Sequence, residues 1–120
     1  NLVEKRLRKA VAGIGEAFEA KAELEYIRRY PVTINNVEKV EKAVRAATEV
    51  AGAPNVQTDL APTMGGEDFA FMLEAVPGAM IFAGNGPSAG LHHPEYDFND
   101  ELIPWGCSYW TTLVRQLLAD

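Results

Sequence analysis

The stretch AMIFAG, residues 79–84, constrains the fold more than any other part of the chain. It is apolar throughout, with neither the alternation of a half-exposed strand nor the spacing of a helix face. Gly78 and Gly84 bound it. Such a run reads as a strand buried on both sides, the kind found in sheets with helices packed over them. The neighbouring segments supply the helices. Residues 2–18 carry Val3, Leu7, Val11, Ile14 and Phe18 on one face, with Lys5, Arg6, Arg8 and Lys9 largely opposite. From Asn35 or Asn36 a second helix begins, with Val37, Val40, Val44, Ala47 and Ala51 as its stripe and Gly52 and Pro54 as its stop. EDFAFMLEAV, residues 67–76, reads as a short helix with Glu67 and Asp68 at its positive end. Asn99 caps a last helix running to about Leu117, whose inner face holds Leu102, Trp105, Tyr109 and Leu113.

Two further segments read as strands. KAELEYIRRY, residues 21–30, alternates Ala22, Leu24 and Tyr26 against Lys21, Glu23 and Glu25, and Pro31 ends it or puts it at an edge. Residues 55–60 form a short third strand. Strands alternating with helices place the chain in the α/β class. RRYPVTINN, residues 28–36, is the natural division between two parts. No N-cap signal precedes the first helix, so the chain reads as starting inside a longer protein.

Charge and composition exclude several functions. The net charge is −6, and all basic residues except Arg115 lie in the first 45 positions, interleaved with Glu. A phosphate-binding surface needs a basic patch, so nucleic acid is not an expected partner. No apolar run is long enough to span a bilayer. The single cysteine, Cys107, rules out an internal disulfide and a cysteine-rich zinc site. A lone thiol suits a reducing, cytoplasmic compartment. In the last helix it reads as a small packing residue.

Two stretches could carry chemistry. AGLHHPEYDFND, residues 89–100, holds the only histidines, His92 and His93. The loop follows the apolar run, and ligands of open α/β sheets bind beyond the carboxyl ends of strands. An imidazole there can ligate zinc. From spacing alone a solvated loop is the simpler reading, because no HxxxH or HxH pattern is present. TMGGEDF, residues 63–69, combines two glycines, which permit close backbone approach, with a helix start. Glu67 and Asp68 already occupy that start, so a plain glycine turn explains it equally well.

Together, MGGEDFAFMLEAVPGAMIFAGNG and GLHHPEYDFND resemble the C-terminal end of metal-dependent amidohydrolases. That family includes N-acyl-amino-acid amidohydrolases, hippurate hydrolases and plant auxin-conjugate hydrolases. RRYPVTINN resembles the family's GYPPTVND segment, which leads from an inserted domain back to the catalytic one. The resemblance implies that residues 1–33 end a ferredoxin-like lid or dimerisation domain. It implies that residues 34–120 end a metallopeptidase-type catalytic α/β domain. It implies a homodimer, an N-acyl amino acid or similar amide conjugate as substrate, and two divalent ions of zinc, manganese or cobalt. Leu91, His92, His93 and Pro94 align with the family's LH-x-P motif, so His92 is implied as a metal ligand and His93 is not. Gly65, Gly66 and Glu67 fall on the motif that borders the substrate. The remaining ligands and the general-base Glu are implied upstream, in the N-terminal half. The chain alone is therefore expected to be inactive. A different class remains open: a non-catalytic α/β module that self-associates through the first helix. A complete small enzyme pairing His92 with Asp97 or Glu95 lacks an obvious nucleophile.

Overall fold

A computed structural model describes residues 1–119. Four helices form: α1 (Leu2–Ala17), α2 (Val37–Ala51), α3 (Phe69–Ala75) and α4 (Leu102–Ala119), with a 3-10 turn at Ala53–Asn55. Asn1 caps α1 itself, its side chain accepting the Val3 N–H, so the helix does carry an N-cap signal. Asn36 caps α2 by accepting the Lys39 N–H. Gly52, at φ +80, ends that helix in a conformation that favours glycine.

No strand forms among the described residues, which corrects the expectation of ladders at 21–30, 55–60 and 79–84. The cause is a lack of neighbours. A strand is stable only when another strand takes its donors and acceptors. Residues 79–84 make no backbone–backbone hydrogen bond to the described residues. Their apolar side chains are left in the open, with Phe82 65% exposed. One side chain stands in for the missing strand. Asn35 donates from Nδ2 to the Met80 carbonyl (2.9 Å) and accepts the Met80 N–H at Oδ1 (2.8 Å). Beside it, the Asn36 N–H reaches the Gly78 carbonyl at 2.9 Å.

Residues 19–28 turn back along α1. Glu19 reverses the chain at φ +50, and the Ala20 N–H bonds to the Gly15 carbonyl at 2.9 Å. A Cβ at Gly15 would lie 2.8 Å from the Ala20 carbonyl, so this approach needs a glycine. Glu4 joins the two arms, pairing with Arg8 at 2.9 Å and with Arg28 across the turn. Leu24 and Tyr26 are half-buried, as the alternation expects, yet without a ladder. Val3, Leu7, Ile14 and Phe18 on α1 remain exposed, and α1 packs on none of the other helices.

Among the described residues, the one interface between α-helices joins α2 and α4. The buried residues are Ala43 and Ala46 on α2 and Tyr109 and Thr112 on α4, and Ala46 is fully buried. Small alanines let the two backbones close on the Tyr109 ring. At the far end Gln116 donates to Glu49 at 2.7 Å, and Arg115 lies 3.5 Å from the same carboxylate. The buried line is centred on Ala43 and Ala46, so Val37 of the expected stripe lies exposed. Trp105 and Cys107, expected to face inward, are exposed as well. Both lie on the N-terminal side of the buried residues of α4, Tyr109 and Thr112. The molecule measures 65 × 37 × 21 Å, with a radius of gyration of 20.8 Å. A compact domain of this length would have about 14 Å.

Burial raises the Tyr109 phenol above its ordinary value of 10.0, favouring the neutral form in the folded state. Its contribution to the α2–α4 pair is therefore intact below the unfolded phenol's pKa. That contribution is lost as pH rises through the raised value. Helicity followed against pH should fall in alkali above about pH 10. Tyr109→Phe should remove that part of the alkaline transition.

Candidate functional site

The loop carrying the histidines is closed at its neck by Asn85. Its Nδ2 donates to the Asp97 carbonyl at 2.7 Å and to Ser88 Oγ at 2.8 Å, while its Oδ1 accepts the Asn99 N–H at 2.8 Å. Gly86, at φ +77, turns the chain immediately after it. Asn99 passes the connection on to α4. Its Oδ1 accepts the Glu101 N–H at 3.0 Å and its carbonyl accepts the Leu102 N–H at 2.9 Å.

Within the loop the two histidines differ. The His93 N–H donates to the Gly90 carbonyl at 3.1 Å, and the His93 carbonyl accepts the Tyr96 N–H at 2.9 Å. The ring joins in, since Nδ1 accepts the Glu95 N–H at 3.1 Å. A ring nitrogen that accepts carries no proton, so the neutral His93 ring holds its proton on Nε2. His92 adopts φ +68, a left-handed conformation that histidine tolerates better than most residues. Its imidazole is exposed and makes no hydrogen bond to the described residues. One ring is thus spent on holding the loop, and the other is available to a ligand.

TMGGEDF lies before α3. A Cβ on Gly66 would sit 2.9 Å from Tyr30 Cδ2, so the ring and the backbone approach only because the residue is glycine. The Tyr30 ring in turn leans on Phe71, with centroids 6.2 Å apart. Gly65 has open space around it. The Glu67 carboxylate accepts the Phe69 N–H at 3.1 Å and its carbonyl accepts the Ala70 N–H at 3.3 Å. Helix α3 is shorter than expected because Glu67 and Asp68 form its cap and not its first turn.

A groove of about 440 Å³ runs between α2, α4 and residues 77–81, with Glu67 at its edge. A second depression, about 650 Å³, lies over the loop and is rimmed by Glu95, Asp97, Asp100 and Glu101. Neither is lined by Gly65, Gly66 or His92. Among the described residues, no three His, Cys, Asp or Glu side chains gather closely enough to hold a metal. A catalytic zinc takes about three protein ligands. The described residues therefore do not complete such a site by themselves. Asn85 has no place in the expected site. The NG dipeptide signals only a turn, and nothing in the spacing shows that its amide spans the loop.

The sequence matches the profile of Peptidase family M20/M25/M40 over residues 3–116. The chain belongs to that family. Curated relatives of this peptidase-family chain include the hippurate hydrolase of Campylobacter jejuni, 33% identical over 98% of this chain and 30% of the relative. An N-acetyldiaminopimelate deacetylase of Exiguobacterium sibiricum is 35% identical over 86% of this chain and 27% of the relative. The IAA-amino acid hydrolase ILR1-like 4 of Arabidopsis thaliana is 25% identical over 98% of this chain and 29% of the relative. The chain thus spans less than a third of the length of these relatives. No solved structure matches it significantly. No helix of the described residues is long and apolar enough to cross a membrane.

The contact between Gly66 and Tyr30 gives a direct test. Gly66→Ala should destabilise the protein modestly, by up to about 1 kcal/mol, because the half-exposed Tyr30 ring must move to admit the methyl. Tyr30→Ala in the same background should recover part of that loss, because the ring is what the new methyl meets. Denaturant unfolding of the two single variants and the double variant reads the coupling.

Proposed function

We propose that this chain is the C-terminal portion of a dinuclear metal-dependent amidohydrolase acting on N-acyl amino acids or similar amide conjugates. The observation that carries the reading is the family match, which runs through both the MGGEDF and LHHP motifs. The relatives, a hippurate hydrolase, a deacetylase and an IAA-amino acid hydrolase by name, support an amide conjugate as substrate. In this reading residues 1–33 belong to a lid or dimerisation domain and residues 34–120 to the catalytic domain. The exposed α1 face of Val3, Leu7 and Ile14 then lies against a second copy. The enzyme works in the cytoplasm.

His92 is assigned as a metal ligand because Leu91, His92, His93 and Pro94 match the family's LH-x-P motif, and its unengaged ring supports the assignment. Zinc, manganese or cobalt, when bound, would supply Lewis-acid polarisation of the scissile carbonyl and activation of a water. His93 keeps the loop in shape through Nδ1. Gly65 leaves the backbone of the turn bare for a substrate to approach, and Gly66, whose open side is taken by the Tyr30 ring, borders the substrate through its peptide group. Glu67 holds the turn against α3. The general base and the other ligands belong to the upstream half, so this chain supplies no proton acceptor for the reaction.

The isolated 120-residue chain should therefore hydrolyse neither hippurate nor N-acetyl amino acids, and should bind zinc or manganese weakly. In the intact enzyme, His92→Ala should lower metal occupancy by one ion and reduce activity at least about 100-fold. His93→Ala should loosen the loop and preserve the metal count. Calorimetric titration and metal analysis separate these outcomes. Tight metal binding by the short chain would overturn the assignment of a shared site.

A further inference from the structure

We infer that Asn85 is a positioning residue for His92: its side-chain amide clasps the neck of the histidine loop and thereby sets where the imidazole stands. The inference rests on the assignment of His92 as a ligand and goes beyond it, to a residue that does not touch the metal. The loop returns to Asn85 after a long excursion, since Asn99 is 14 positions further on. Nothing inside that excursion fixes His92 directly. The Gly90–His93 and His93–Tyr96 turns shape the tip, and the His92 ring has no hydrogen bond of its own. What joins this tip to the ordered body is the neck, where one amide binds Ser88, Asp97 and Asn99. From Asn99 the connection continues to the first turn of α4, and that helix packs on α2, its buried residues, Tyr109 and Thr112, lying further along.

The role requires an amide. Two donors and one acceptor are used at once, and only asparagine offers both within this reach. Aspartate has the same shape and keeps the bond from the Asn99 N–H. It offers no donor to Ser88 Oγ, and it sets a negative oxygen 2.7 Å from the Asp97 carbonyl oxygen. Asn85→Asp should therefore open the neck without changing the volume of the site. Ser88→Ala removes one of the three bonds and leaves the closure to Asp97 and Asn99 intact.

The test uses the intact enzyme containing this chain, loaded with cobalt or zinc. In Asn85→Asp, the N–H groups of His93 and Tyr96 should exchange with solvent faster, while those within α2 and α4 keep their protection. Metal affinity at one of the two sites should fall roughly 10–100-fold. The visible spectrum of the cobalt form should shift, and kcat should fall more than KM rises. Ser88→Ala should give a smaller change in each. Unchanged loop exchange, or an unchanged cobalt spectrum and affinity in an opened loop, would overturn the positioning role while His92 stood as a ligand. Loss of α2 and α4 protection in Asn85→Asp would also overturn it, by showing a general structural role. If His92→Ala leaves metal binding intact, the ligand assignment fails and takes this inference with it.

Discussion

A strand peptide presents a donor and an acceptor to each side, and an apolar strand presents a hydrophobic face above and below. Residues 79–84 have all of these needs, and the described chain meets few of them. Asn35 answers for one residue by matching its amide to both backbone polar groups of Met80. Ile81 and Phe82 are left exposed. Exposed apolar area costs about 25 cal/mol per Å² relative to burial, so a run like this finds cover when cover exists. Much of the structure follows from this unmet demand. The groove between α2, α4 and residues 77–81 is open because no second layer closes it. The α1 face is bare for the same reason.

What order exists is built from small residues and amides. Ala43 and Ala46 let α2 and α4 approach, and Tyr109 fills the space between them. From α4, Asn99 and Asn85 carry that order outward to the histidine loop. From α2, Asn35 and Asn36 carry it to residues 78–80. Asn35 and Asn85 use both polar ends of the side chain, and all four asparagines make a bond to a residue far along the chain. They hold segments that would otherwise depend on a sheet.

Helices were legible in the sequence because their signals are local. The stripe of α2, its Asn cap and its Gly52 stop lie within a few residues of one another, and the helix forms where they say. Strands were legible as patterns but not as structure. AMIFAG carries the composition of a buried strand whether or not its neighbours are present, and the pattern cannot supply them. The inward faces of Trp105 and Cys107 failed for the same reason, since a stripe says which side is apolar and not what lies against it. Of the candidate site, the motifs marked His92 and the glycine turn, and the close approach of Tyr30 gives Gly66 a physical cause. The different duties of the two histidine rings, and the clasp at Asn85, depend on where side chains land across a long loop. No spacing rule reports that.

Amide hydrogen exchange at Ile81 and Phe82 tests the central claim most directly, measured in the 120-residue chain alone and in the intact enzyme. If these residues are a strand waiting for its neighbours, their N–H groups exchange at nearly the unfolded rate in the short chain. In the intact enzyme they should be protected to the level of a core strand. Equal exchange in both forms would contradict the account, because residues 79–84 would then gain no partner from the rest of the protein.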